Sequence, residues 1–129
     1  MKMRVYYEDT DAGGVVYHSK YLNFCERARS ELFFTAYPHI FEASKGHFLV
    51  ARANCTFLKP AKLGDTLDII STLLQLKNAS VLVKQEIFRQ NQKLFSADFT
   101  LAFIKDEKPA PMNAELKAVF EQLFAPQKI

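Results

Sequence analysis

The chain has 129 residues, 49% of them aliphatic or aromatic and 24% charged, with a formal net charge of +3. This excludes a disordered chain and the dense basic stripe of a nucleic-acid binder, and it suits one domain over residues 1–129 with its own core. Cys25 and Cys55 lack CxxC spacing, which excludes a disulfide framework, a structural zinc or a redox motif; both are expected to be buried free thiols.

The opening MKMRVYYEDTD carries acidic groups where a secretory signal needs an apolar stretch, and no run approaches the ~18 apolar residues of a membrane span. A cytoplasmic protein without a membrane span is expected. Residues 3 to 8 set Met3, Val5 and Tyr7 against Arg4, Tyr6 and Glu8, a period of two that predicts a first strand with Tyr7 packed on the core. The two glycines of DTDAGGVVYHS end it. Ser19 is a candidate N-cap for a helix from about Ser19 to Phe34. Tyr21, Phe24, Cys25, Ala28 and Leu32 recur there at helical spacing, while Lys20, Glu26, Arg27 and Arg29 fall on other faces. Pro38 forbids continuation beyond Tyr37, and a short helical turn can follow before Gly46.

From Phe48 the pattern predicts strands at about 48–58, 66–76, 80–90 and 93–105, separated by Pro60 and Gly64, by Lys77-Asn78 and by Asn91-Gln92. In the last of these Phe95, Ala97, Phe99, Leu101 and Phe103 point one way and Ser96, Asp98 and Thr100 the other, so one sheet face is strongly apolar. Pro109 and Pro111 close the sheet region, and Asn113 can cap a helix in which Leu116, Val119, Phe120 and Leu123 share a face. That helix should pack on the sheet or on a neighbouring subunit. The order is α+β: an antiparallel sheet of about five strands wrapped around one long helix, plus a C-terminal helix. This is the hotdog architecture.

Chemistry concentrates ahead of the long helix, where Asp9, Asp11, Gly13, Gly14 and His18 crowd together. A helix start offers unpaired N–H groups and a partial positive charge, which suit an oxyanion formed when a carbonyl is attacked. A carboxylate just upstream can serve as base or nucleophile, and glycines let the backbone approach a substrate closely. The same residues also make an ordinary turn and cap. Asp9, Asp11 and His18 have no recognised metal spacing.

The run YEDTDAGGVVYHSKYLNFCERAR, followed downstream by ARANCTFLKPAKLGD, closely resembles the hydroxybenzoyl-CoA thioesterase family, in particular its YbgC-like branch associated with the Tol-Pal envelope system. The resemblance covers nearly the whole chain. It implies hydrolysis of acyl-CoA thioesters, with a short or medium acyl group as first expectation and no metal or redox cofactor. The family's catalytic aspartate falls on Asp11, and its oxyanion donor, a backbone N–H at the start of the long helix, on His18. Tyr7 and the His18 ring are further pocket candidates, with Gly13, Gly14 and Tyr17 on the substrate side. Lys77, at a predicted hairpin, falls near where a related enzyme sets cations for the nucleotide. A homodimer or homotetramer is implied, and acyl carrier protein is an alternative carrier. Two rivals stay open: a hydroxyacyl thioester dehydratase of the same fold, and a non-catalytic scaffold binding acyl carrier protein.

Overall fold

The structure, a computed structural model, describes residues 1–41 and 46–126. In chain order it contains β1 (Lys2–Arg4), α1 (His18–Ala36), β2 (His47–Phe57), β3 (Thr66–Leu76), β4 (Ser80–Arg89), β5 (Gln92–Lys105), β6 (Lys108–Pro109), α2 (Ala114–Leu123) and β7 (Ala125–Pro126). The principal strands lie in the order β1-β3-β4-β5-β2, all neighbours antiparallel. Two-residue strands extend this sheet, β6 against β5 and β7 parallel to β3.

The expected alternation in β5 holds: Phe95, Ala97, Phe99, Leu101 and Phe103 are each no more than 3% exposed. They face α1, whose inner side contributes Tyr21, Phe24, Cys25, Ala28 and Phe33. Full burial of each such phenylalanine stabilises the fold by roughly 2–3 kcal/mol. Asn113 caps α2 as expected, its Oδ1 accepting the Leu116 N–H at 2.9 Å. That helix packs within its own chain, where Phe120 meets Phe33 and Phe48 edge to face. Leu123, expected on the same face, is instead exposed.

Four further expectations give way. The first strand stops at Arg4, because the Asp9 carboxylate accepts the Tyr6 N–H at 3.0 Å and closes a 3₁₀ turn over Tyr7–Asp9. Tyr7 is therefore 82% exposed and does not pack on the core. The long helix begins one residue before Ser19: Tyr17 is the cap, without a side-chain hydrogen bond, and Ser19 lies inside the first turn. Arg29, placed by its charge on an outer face, is buried at 8% exposure. Cys25 is a buried free thiol as expected, but Cys55 is only partly covered. The short helical turn after Pro38 is present at Pro38–Phe41.

Candidate active site

The segment from Asp9 to Tyr17 doubles back on itself. Asp11 N–H donates to Val15 O at 2.9 Å and Tyr17 N–H to Asp9 O at 3.0 Å, with Thr10 bridged to Val16 between them. Gly14 turns this miniature hairpin at φ +79°, a conformation that a Cβ disfavours. Gly13 answers a different need: its N–H donates to Asp11 Oδ1 at 2.8 Å, and a Cβ there would stand 3.2 Å from that oxygen. The turn is fastened to the loop before β3, where Val16 N–H donates to Ala61 O at 2.8 Å and Leu63 N–H to Gly14 O at 3.2 Å. From α1, Tyr21 Oη accepts the Ala61 N–H at 3.0 Å, locking the helix to the same loop.

Two carboxylates two residues apart thus acquire opposite settings. Asp9 is 3% exposed and committed to the Tyr6 amide. Asp11 is exposed; Oδ1 accepts from Gly13 and, at 3.4 Å, from Val15, while Oδ2 has no hydrogen bond among the described residues. The Asp11–Val15 pair stands two residue steps from the Asp9–Tyr17 pair, roughly 7 Å at strand spacing. The next residue, His18, begins α1.

The His18 N–H heads a 19-residue helix, where no helical carbonyl precedes it, and it has no acceptor among the described residues. The first turn carries no acidic side chain, so the partial positive charge there is not neutralised from within the helix. The His18 ring stacks on Tyr17 at a centroid distance of 4.3 Å, and both are exposed. Among the described residues no group of three His, Cys, Asp or Glu side chains could hold a metal.

The fold therefore gathers Asp11, Gly13, Gly14, Tyr17 and His18 into one exposed corner, with Tyr7 on the 3₁₀ turn leading into it. Lys77 is not brought there. Its N–H donates to Ser80 O at 2.9 Å in the β3–β4 hairpin, at the far end of an 11-residue strand from the loop that holds Asp11. Lys62 is the nearer cation, since its backbone bridges to Val15. A cavity of about 620 Å³ opens elsewhere, between the second half of α1, the start of β2 and the end of β5; none of the corner residues lines it.

A family model described as "Thioesterase superfamily" matches residues 13–96. The chain belongs to the thioesterase superfamily. It is 38% identical to the acyl-CoA thioesterase YbgC of Helicobacter pylori, over 96% of this chain and 98% of that protein. To the Haemophilus influenzae protein of the same name it is 37% identical, over 94% and 93%. Among solved structures, a 1,4-dihydroxy-2-naphthoyl-CoA thioesterase from Synechocystis superposes with a TM-score of 0.85 at 25% identity, covering 95% of each chain. The enzyme class expected from the sequence, a thioester hydrolase on the hotdog fold, agrees with these relatives.

Proposed function

We propose that this thioesterase hydrolyses acyl-CoA, with Asp11 as nucleophile or general base and the His18 N–H as oxyanion donor. The observation that carries the reading is a carboxylate with one unengaged oxygen beside the open start of a long helix. In the nucleophilic route Asp11 attacks the thioester carbonyl, and the oxygen takes the displaced electron pair and accepts from His18 N–H. Collapse breaks the C–S bond, the thiolate leaves and takes a proton from water, and a second water splits the mixed anhydride into acid and free Asp11. In the general-base route Asp11 removes a proton from the water that attacks the same carbon and returns it to the leaving thiolate. Gly13, Gly14, Tyr17, Tyr7 and the His18 ring border the acyl group or its carrier. CoA as the carrier is supported by the names of the relatives from H. pylori and H. influenzae. Short or medium acyl groups remain the first expectation.

The active unit in this reading is a twofold dimer joined through β2, or a tetramer of such dimers. Strand β2 is a sheet edge of 11 residues along which Leu49, Val50 and Phe57 are each about half exposed. Pairing two copies antiparallel would set the start of one β2 against the end of the other. The start lines the cavity, and the end leads into the loop that holds the Asp11 turn. Each corner would then meet the cavity of the other copy.

A panel of acyl-CoAs of different chain length and ring content, followed by thiol release, tests the reading. Thiol release that needs Asp11 is expected; an enoyl thioester without free thiol would make the protein a dehydratase, and no turnover would make it a scaffold.

A further inference from the structure

Away from the Asp11 corner, the interior of the molecule holds a cation. Arg29 Nη1 donates to Gln85 Oε1 at 2.7 Å, and Gln85, fully buried, donates in turn to Cys25 O at 2.9 Å and Ser71 Oγ at 3.0 Å. The Phe99 ring lies 4.7 Å from the guanidinium carbon. A guanidinium has five N–H donors and keeps its charge, whereas these partners are neutral and accept at one nitrogen. Burial pulls its pKa down, against the opposing pull of Cys25 and Glu26. No carboxylate among the described residues forms an ion pair with it.

No fully buried side-chain nitrogen or oxygen among the described residues lacks a partner. The guanidinium nitrogens not bonded to Gln85 are therefore not fully sealed from solvent, and Arg29 lines the cavity of about 620 Å³. Phe33, Phe48, Leu101 and Ile104 give it apolar walls. The acidic lining groups Glu26, Asp106 and Glu107 are exposed, and Glu26 is engaged by the Ser30 hydroxyl at 3.0 Å. Water screens those rim charges, while the one deeply buried charge in the wall is positive. A cavity of this size is in the range that encloses a small organic ligand.

We propose that this cavity binds an organic carboxylate with a medium-length apolar body, the carboxylate held by the Arg29 guanidinium. The site rests on the thioesterase reading only for the source of that carboxylate: the free acid released by hydrolysis, or the ω-carboxylate of an acyl-CoA.

Calorimetry on the wild-type protein with octanoate, octanol and octylammonium tests it without any substitution. Octanoate should bind roughly tenfold to a hundredfold more tightly than octanol, as for a hydrogen-bonded charge, and octylammonium more weakly than either. In Arg29→Gln the preference for octanoate should vanish, and in Asp11→Ala it should persist. The chain has no tryptophan, so Phe48→Trp sets a single fluorophore in the cavity wall, and its emission should respond to octanoate. Octanoate no tighter than octanol, or a silent tryptophan, overturns the proposal even if Arg29→Gln does not fold.

Hydrolysis kinetics distinguish the sources. A lower KM for suberoyl-CoA than for octanoyl-CoA, lost in Arg29→Gln, assigns the substrate's ω-end; inhibition by octanoate without that preference assigns the free acid. Octanoate binding without turnover of any acyl-CoA sinks the thioesterase reading alone. Turnover without carboxylate preference sinks this site alone.

Discussion

Alanine at Asp9 and alanine at Asp11 should injure different properties of the protein. Asp9→Ala removes the acceptor of the Tyr6 N–H, a side chain only 3% exposed, and losing this part-buried hydrogen bond to a carboxylate costs about 1–3 kcal/mol. With an unfolding entropy of about 2.1 cal/mol/K per residue, 129 residues convert that cost into a fall of about 4–11 °C in Tm. Asp11→Ala removes an acceptor from an exposed turn, where water takes its place, and the Tm should stay within about 2 °C of wild type. Activity should follow the reverse order. Losing the base or nucleophile should lower kcat by about 10²- to 10⁴-fold, whereas Asp9→Ala should keep kcat within the wild-type order of magnitude below its own transition. Differential scanning fluorimetry gives the first comparison and thiol release from saturating acyl-CoA the second. A folded Asp11→Ala protein with wild-type kcat would refute the catalytic assignment, and an Asp9→Ala protein as heat-stable as wild type would refute the burial argument.

His18→Pro and His18→Ala both remove the ring, but only the proline variant also loses the N–H, a loss tolerated in a first helical turn; His18→Pro should fall about 10²- to 10³-fold in kcat, whereas His18→Ala keeps the amide and most of the activity. Equal activity of the two folded variants by circular dichroism and kinetics would move the oxyanion donor elsewhere. Activity per chain should fall on dilution in step with dissociation seen by light scattering; a fully active monomer would contradict the shared site. Stability should also fall in acid through Asp65. Burial opposes its ionisation, but the Arg89 hydrogen bond at 2.8 Å, the Lys62 N–H and the charges of both residues outweigh it and hold the pKa below the ordinary carboxylate value. A depressed folded-state pKa stabilises the fold above the unfolded value, near ~4, and that contribution is lost as pH falls through the folded one. Urea midpoints measured from pH 6 to 2 should therefore decline less steeply in Asp65→Asn, and parallel curves would count against it.

The parts of this fold that were legible in the sequence are those with one buried face. Strand β5 alternates cleanly because every second residue enters the core, and the stripe on α1 repeats at helical spacing for the same reason. The first strand misled because alternation over six residues does not register the Asp9 side chain that bends the backbone at Tyr6. Arg29 misled through its charge: only the three-dimensional meeting of Gln85 and Phe99 makes burial of a guanidinium tolerable there. For the candidate site, the DTDAGGVVYHS run holds the turn, the Asp11 carboxylate and the helix start within a few residues, so their proximity was legible locally, while the roles given to Asp11 and His18 came from the family resemblance. Lys77 depended on distances across the sheet, which no local pattern encodes.

The two margins of the sheet are unequal, and this limits growth as well as assembly. At one margin β1 covers β3 only from Thr66 to Asp68, and β7 occupies Thr72 and Leu73 farther along, so little of that backbone is left to recruit another strand. The opposite margin, β2, offers its whole length, with a register shift between Val50 and Arg52. A sheet extendable on both sides can polymerise into a fibre; one extendable on a single side is exhausted by its first self-pairing. Under the proposed pairing of β2 with a second copy, the three residues of β1 and the two of β7 would act as a chain terminator, stopping edge-to-edge addition at two.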